Sequence, residues 1–478
     1  MKKIFKILGN PIVKWSALAA VGLTTLSIVG ANYVADGREK EIEPELEAFT
    51  QKVPVETEYN DTAIALKTLS AKLGFDLYSW PEDVNSKYAP QIENIEVEPR
   101  AKQAWEKISD PLEEYIDAQI LKPNSEIDPP PVELQEYLKA NAKTLEQIRQ
   151  VIASQSKPGW HTNLTPVLEG DYELALPGYF ASIDLQQILA LDILEKQRQG
   201  QSDAAREMLE AAWQIHASFQ DNPYLIGQLV FLINGRYIAG TMRKLGDLPV
   251  EWQERLVAHN YSQSMLESIH GEFFGMFNVI RNVAPAEIFE TVQFGDSHTI
   301  QTGFQGTVEK VKGMLLSPVT KPWLRFTAID TYQVGKYDLE QYQAQPPNIC
   351  ASDVVESEKQ PAAWNILTKK IGQPSLINQV VKAEKYRLDL ELTQKILQAK
   401  ALAAETGKWP ATLPNLESDL CPGYEWVYAV AEDGTMSLSL SQEPKWAAER
   451  KEKHDLPLTY SGKLPDVTAK TPASQPSS

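Results

Sequence analysis

Cysteine, basic charge and long apolar runs are all scarce in this sequence. Two cysteines in 478 residues are too few for a disulfide-built scaffold or a structural zinc cluster. Lysine and arginine number 46 against 64 aspartates and glutamates, and the resulting net charge of −18 would repel polyphosphate, so we expect no nucleic-acid partner. The composition is otherwise ordinary, with 43% hydrophobic and 23% charged residues, which excludes a protein with many membrane spans.

Motifs of the common enzyme classes are also missing. The sequence contains no Walker loop, dinucleotide fingerprint, HExxH zinc motif or GxSxG nucleophile turn. His259 and His270 fall on one predicted helix but about 16 Å apart, which is too far for a shared metal ion. His270-Gly271-Glu272 has the H-x-E spacing of zinc deaminases without their Pro-Cys-x-x-Cys. We therefore predict no enzymatic activity, no cofactor and no metal site.

The one long apolar run lies near the N-terminus, between Trp15 and Ala35. About 20 helical residues rise about 30 Å, enough to cross the hydrocarbon core of a bilayer. Lysines precede the run and acidic residues appear only after it, so the positive-inside rule places the N-terminus in the cytoplasm. The sequence predicts a single-pass protein of the bacterial inner membrane, with lipid around residues 15–35 and the body on the periplasmic side. The residues that mark this anchor are Trp15, Ala20, Leu26, Ala31 and Tyr33.

A cleaved signal peptide is the alternative interpretation of the same run. Val29-Gly30-Ala31 has the small-residue pattern that signal peptidase accepts. We favour the uncleaved anchor, because the run is longer than the apolar core of a usual signal peptide. Both interpretations export the rest of the chain.

Helical periodicity dominates the sequence beyond the anchor. Apolar residues recur at helical spacing from Ile183 to Arg198, and again from Ala204 to Phe219 after a short polar turn. Short connections favour antiparallel neighbours, so we expect a solenoid-like body similar to tetratricopeptide arrays, although no strict repeat is readable. Such helical stacks commonly bind proteins. Near the C-terminus, alternation between Tyr424 and Leu440 around Asp433-Gly434 predicts a β-hairpin.

The predicted fold class is therefore mainly α, in four regions. They are a cytoplasmic stub and transmembrane anchor at 1–35, an exported helical body at 36–345, a long helix with a hairpin at 346–442, and a disordered tail at 443–478. The tail is predicted to be disordered because it is charged and then rich in proline, serine and threonine, a composition that buries little apolar surface.

Two features of the exported region leave alternatives open. Cys350 and Cys421 lie in proline-bearing loops, and an oxidising compartment permits a disulfide between them. Two separate buried thiols are the alternative, and we favour the disulfide. The second feature is an aromatic cluster, Phe273, Phe274 and Phe277, which fits a buried core and equally a groove for a partner helix.

A long amphipathic helix after Tyr386 runs into Gly407-Lys408-Trp409-Pro410, and a short hairpin follows it as far as Ser441. This order of helix, Gly-x-aromatic-Pro turn and small sheet resembles the core of the type II secretion major pseudopilins. With the segments 200–205 and 222–229, the chain also resembles a poorly characterised family of membrane-anchored bacterial envelope proteins with a helical body.

The resemblance implies an architecture and an envelope location, with other envelope proteins, first those of secretion or pilus machinery, as expected partners. A homo-oligomer is compatible with it. In true pseudopilins the membrane helix continues directly into the helix before the turn. Here the two helices are far apart in sequence, so we do not expect a processed fibre subunit. We favour a protein-binding or scaffolding function.

The alternative function depends on Gly295-Asp296-Ser297. This string resembles the start of a lipase and esterase family in which the serine is the nucleophile, which implies an envelope serine hydrolase. Such a serine needs a positioned histidine base and oxyanion donors. The surrounding sequence is helical and no later Asp-x-x-His follows, so the motif lacks the context that would support catalysis.

Overall fold

The described part of the chain is known from a computed structural model and comprises residues 11–81, 94–171, 176–246, 248–283, 304–346, 348–351, 359–371, 376–449 and 456–464. Side chains at 11–25, 304–319, 370–371 and 448–449 lie outside the described part. Within it the protein is mainly helical, with one two-stranded and one three-stranded antiparallel sheet. The predicted mainly-α class is confirmed.

The element boundaries follow local capping chemistry. α2 begins after Asn60, whose side chain accepts a hydrogen bond from the Ala63 N–H, and it ends at Gly74, whose positive φ of 112° suits glycine. In chain order the elements are α1 (Pro11–Lys52), β1 (Glu56–Thr57), α2 (Asp61–Leu73), α3 (Pro99–Leu121), α4 (Val132–Ser154), β2 (Thr162–Asn163), α5 (Thr165–Glu169), α6 (Ala181–Arg198), α7 (Ser202–Ala217), α8 (Leu225–Lys244), α9 (Glu251–Val257), α10 (Tyr261–Asn282), α11 (Phe304–Ala344), α12 (Ile366–Ile371), α13 (Ile377–Thr406), β3 (Trp426–Val430), β4 (Met436–Leu440), α14 (Lys445–Glu449) and β5 (Thr459–Gly462).

Helix α1 continues well past the predicted membrane run, as far as Lys52. Ala35, Ile42 and Phe49 recur at heptad spacing on its second half, and all three are buried in the main hydrophobic core. The Phe49 ring lies 5.4 Å from the Phe274 ring of α10. The end of α1 is therefore part of the folded body and not a linker.

Polar contacts hold α1 against α11. The Arg325 guanidinium donates to both carboxylate oxygens of Glu39 at 2.7 Å, and it also pairs with Asp36. Farther along, the Glu45 carboxylate accepts from the Tyr332 hydroxyl at 2.8 Å and from the Lys336 ammonium at 2.6 Å. Contacts advance together along both helices, so α1 and α11 run in the same direction.

The main core forms where helices distant in sequence converge. α8 packs against its neighbours α6 and α7 but also against α3 and α13. Its glycines permit this close approach: a Cβ added to Gly235 would lie 2.1 Å from the Tyr386 hydroxyl of α13, and one on Gly240 would lie 2.4 Å from the Cβ of Ile120. In a solenoid each repeat contacts only its neighbours, so this body departs from the predicted solenoid-like stacking.

Helix α13 is a wall shared by two hydrophobic clusters. Tyr386 and Leu390 face the main core, whereas Leu388, Leu392 and Ile396 face a second cluster that includes the three-stranded sheet. A helix that is apolar on both sides must be buried along most of its circumference. The predicted helix-and-hairpin region at 346–442 thus shares its longest helix with the body.

The predicted disordered tail begins too early. β5 pairs with β4 in an antiparallel register, so the predicted hairpin becomes a sheet of order β3-β4-β5. Trp446 of α14 and Tyr460 of β5 are both buried in the second cluster. These two aromatic side chains bury apolar surface in the second cluster, and a composition averaged over 443–478 did not reveal them.

Candidate functional site

A polar cleft opens where the body meets the C-terminal sheet. It has a volume of about 740 Å³ and lies between α9, α13 and the loop that precedes β3. Its lining residues are Gln253 on α9, Gln394, Lys395 and Gln398 on α13, and Asn415, Leu416, Glu417 and Asp419 on the loop.

The loop wall of the cleft is built around a buried carboxylate. Glu391 accepts a hydrogen bond from the Ser418 hydroxyl at 3.0 Å and another from the Asp419 N–H at 3.2 Å. Burial raises the pKa of Glu391, and these two donors oppose that effect. The Ser418 hydroxyl in turn accepts from the Cys421 N–H at 3.2 Å. The wall is therefore fixed by hydrogen bonds that do not depend on a ligand.

The same loop is joined covalently to a distant segment. Cys350 and Cys421 form a disulfide with a Cα–Cα distance of 5.6 Å, the pairing that the sequence favoured. Both cysteines are buried in the second cluster. The disulfide therefore fixes the loop against the segment at 348–351 as well as against α13.

The helix wall is tied to the loop from the other side. Lys395 donates from its ammonium to the Asn415 carbonyl, and Asn415 has a positive φ of 54°, a conformation that asparagine adopts more readily than most residues. Gln394 donates to the Gln253 carbonyl of α9 at 3.3 Å. Gln398 has no such constraint in the contacts described and is half-buried.

The lining of the cleft is rich in amide side chains. Gln253, Gln394, Gln398 and Asn415 carry amide groups, each of which offers both donors and acceptors. The same lining also carries charged groups, with Lys395 on α13 and Glu417 and Asp419 on the loop. Small-molecule pockets are mostly apolar, whereas amide side chains can pair with the N–H and C=O groups of an extended peptide.

The predicted pseudopilin-like turn lies at the end of α13. Gly407 has a φ of 71° and its N–H bonds the Ala403 carbonyl, so it closes the helix as a left-handed cap. Trp409 packs on the second cluster, and the Pro410 carbonyl accepts from the Tyr428 hydroxyl at 2.8 Å. The turn therefore connects α13 to β3 through contacts within this chain.

The aromatic cluster on α10 is core and not a groove. Phe273, Phe274 and Phe277 are all buried. The Phe274 ring lies 5.1 Å from that of Tyr332 on α11, and α1 contributes Phe49 on the same side. Of the two interpretations that the sequence left open, the partner groove is wrong, because α1 and α11 of the same chain cover these rings.

The predicted anchor residues lie on α1, towards its N-terminal end. Leu26 and Tyr33 are 70% and 79% exposed, and Ala31 is half-buried. The side chains of Trp15 and Ala20 lie outside the described part. Among the residues that the structure describes, none of the helices combines the length and apolarity needed to span a bilayer.

The remaining candidates from the sequence are the Gly295-Asp296-Ser297 string and the histidines. Gly295-Asp296-Ser297 lies outside the described residues. His216 is a buried core histidine, as its position beside an apolar stripe suggested, and its Nε2 lies 3.1 Å from the Tyr261 hydroxyl. Within the described ranges, His259 and His270 bond separate partners, Ser264 and Tyr332.

A different group of potential metal ligands, Glu56, Glu58 and His161, comes together beside β1 and β2.

A scan against models of protein families, a search of curated proteins and a search of solved structures each return no match for this chain.

Proposed function

We propose that this protein is a single-pass, membrane-anchored envelope protein whose exported helical body binds or scaffolds other proteins. The anchor is the run from Trp15 to Ala35, with the N-terminus in the cytoplasm and the body in the periplasm. The observation that carries the binding function is the preformed polar cleft between α9, α13 and the loop before β3. Its pseudopilin-like surroundings make components of secretion or pilus machinery the first partners to test.

The position of the body supports a scaffold. α1 passes without interruption from the predicted membrane run into the core, and Arg325 and Lys336 hold it to α11 through Glu39 and Glu45. A body fixed to its own anchor presents the cleft at a constant orientation to the membrane. Such preorganisation lowers the entropic cost of binding a partner.

The cleft is tested by site-specific photocrosslinking in intact cells. A photoreactive amino acid at Gln398, which is half-buried in the cleft, should give discrete protein adducts. The same amino acid at Lys139, which is exposed on α4, should not give those adducts. Adding Gln394→Arg, which places a long charged side chain in the cleft, should suppress the adducts at Gln398.

Either of two results would contradict the proposal. Identical adducts from Gln398 and Lys139 would indicate non-specific capture. Adducts at Gln398 that persist unchanged with Gln394→Arg would place the contact elsewhere on the protein.

A further inference from the structure

The short pairing of β1 with β2 places three potential metal ligands on one face. The antiparallel register sets Glu56 opposite Asn163 and Thr57 opposite Thr162, so Glu58 continues opposite His161. Side chains alternate along a strand, and directly opposed residues share a face. Glu56, Glu58 and His161 therefore point the same way, and one ligand atom from each lies within 4.8 Å of the others.

Hydrogen bonds hold the backbone around β1 and His161 in place. The Thr57 hydroxyl donates to the Trp160 carbonyl at 2.7 Å and accepts from the Thr162 N–H at 3.0 Å. The Tyr78 hydroxyl donates to the His161 carbonyl at 3.2 Å. These bonds fix the backbone that carries the side chains of Glu56, Glu58 and His161.

His161 has a buried side chain without a hydrogen-bond partner. The residue is 1% exposed, and neither of its ring nitrogens has a hydrogen-bond partner. The rings of Tyr59 and Trp80 flank it, with centroids 5.9 and 5.5 Å away. Its Nδ1 lies 3.7 Å from a Glu58 carboxylate oxygen, beyond hydrogen-bond distance. A buried polar group left unpaired is costly, which calls for a ligand that the protein chain itself does not supply.

We infer that Glu56, Glu58 and His161 bind a divalent transition-metal ion of the zinc class. Zinc accepts imidazole nitrogen and carboxylate oxygen at about 2.0–2.2 Å, and three protein ligands leave one position for water. Both glutamates are exposed, so their side chains can rotate towards the fixed imidazole and shorten the present separations. Magnesium and calcium prefer ligand sets made of oxygen alone, so the imidazole selects against them.

The ion would fasten the segment after α1 to the body. β1 lies between the end of α1 at Lys52 and the start of α2 at Asp61, whereas His161 precedes β2, far along the chain. An ion that binds only the folded arrangement stabilises it by a free energy that grows with the logarithm of the free metal concentration. This site is separate from the polar cleft, so the proposed metal binding does not depend on the protein-binding function.

The test uses untagged full-length protein, purified in detergent and stripped with a chelator. Zinc sulfate titrated calorimetrically should bind at one ion per chain, and Co²⁺ should give the visible absorption of a four-coordinate site. Glu58→Gln and Glu56→Gln change exposed side chains without disturbing the core, and each should weaken zinc binding at least about tenfold. His161→Ala should abolish the cobalt absorption.

A matched control is Glu98→Gln, an exposed glutamate just before α3, which should leave zinc binding unchanged. Zinc should also raise the melting temperature of the wild-type chain and of this control, but not that of Glu58→Gln. Zinc binding that Glu56→Gln and Glu58→Gln both leave intact, or a wild-type melting temperature that zinc does not change, would overturn the inference.

Discussion

At the scale of single residues, a buried ion pair between α8 and α13 is the contact that depends most on both partners being present. Arg243 donates to Asp389 at 2.6 Å and to the Thr393 hydroxyl at 2.7 Å, and its second terminal nitrogen donates to the Ile120 carbonyl at 3.1 Å. Both charged side chains are almost fully buried. A pair of this kind is stabilising only while every donor keeps its acceptor, because either charge alone would be stranded away from water.

We therefore expect Arg243→Ala to lower the free energy of unfolding by about 3–5 kcal/mol, since it leaves Asp389 buried without its partner. Urea unfolding followed by tryptophan fluorescence measures the change. The control is Lys102→Ala, which removes an exposed pair with Glu106 and should cost less than about 1 kcal/mol. Equal effects of the two variants would show that the buried pair has no special role.

His216 gives the fold a defined pH dependence. Burial lowers the pKa of His216 to about 3, with nearby His259 as a smaller cause, and its ring stacks on Phe231 at 4.2 Å. In the unfolded chain the pKa of histidine is about 6.5. Between these two values the unfolded state binds a proton that the folded state excludes, so stability is lost as the pH falls from about 6.5 towards 3.

The expected contribution of this one histidine is about 1.4 kcal/mol of lost stability for each pH unit below 6.5. The free energy of unfolding of the wild type and of His216→Gln, measured between pH 6.5 and pH 4.5, should therefore differ in slope by that amount. Comparing the two slopes cancels the titration of other groups. Parallel slopes would mean that His216 is protonated in the folded state.

At the scale of elements, the disulfide is the strongest local constraint on the C-terminal sheet. It closes a loop with a sequence separation of 71 residues, which the chain-entropy model equates with about 4 kcal/mol. We expect a reducing agent to lower the melting temperature of the wild-type chain. The double variant Cys350→Ser/Cys421→Ser should melt lower from the outset and should not respond to the reductant. A wild type that melts identically with and without reductant would contradict this.

Periodicity predicted the helices well, because each amphipathic helix carries its own signal. α6 was expected from Ile183 to Arg198 and spans Ala181–Arg198. β5 was missed because Tyr460 is its only large apolar residue, and because its pairing with β4 depends on the tertiary structure. The extension of α1 was missed for a related reason, since Ile42 and Phe49 are widely spaced among charged residues.

Sequence patterns could not predict the candidate sites. The cleft draws Gln253, Gln394 and Asn415 from three separate elements, and amide residues carry no motif. The ligands at Glu58 and His161 meet only through a two-residue strand pair, so no spacing links them. Conversely, the spacing of Phe273 and Phe277 could not distinguish a groove from a core, because the covering helices α1 and α11 lie far away in sequence.

At the scale of the whole molecule, the proposed anchor is the feature that would determine where the protein is located. An uncleaved anchor predicts that protein extracted from membranes has the intact mass of the full sequence. A mass lacking residues 1–31 would instead show that a signal peptide had been removed after Ala31 and would refute the anchor.

A charge placed in the apolar run tests the proposed anchor, because a charged side chain is costly to place in the membrane. Leu26→Arg combined with Val29→Arg should release the chain from alkaline-washed membranes, because each arginine near the centre of a span costs about 2.5–3.5 kcal/mol. The control is Val257→Arg, since Val257 is also exposed but lies at the end of α9. Release by the control alone, or retention of the double variant, would contradict the anchor.

The position of β5 has a consequence for how the chain acquires its structure. The Ser461 N–H bonds the Pro123 carbonyl, and the Tyr460 hydroxyl bonds the Arg243 carbonyl at the end of α8. Contacts between residues so distant along the chain form late, because a long loop must close before they are made. A chain that emerges N-terminus first would leave β4 with an uncovered edge until residue 462 arrived. During that interval the open edge of β4 could pair with a strand of another chain, and a chaperone that covers this edge would have its largest effect.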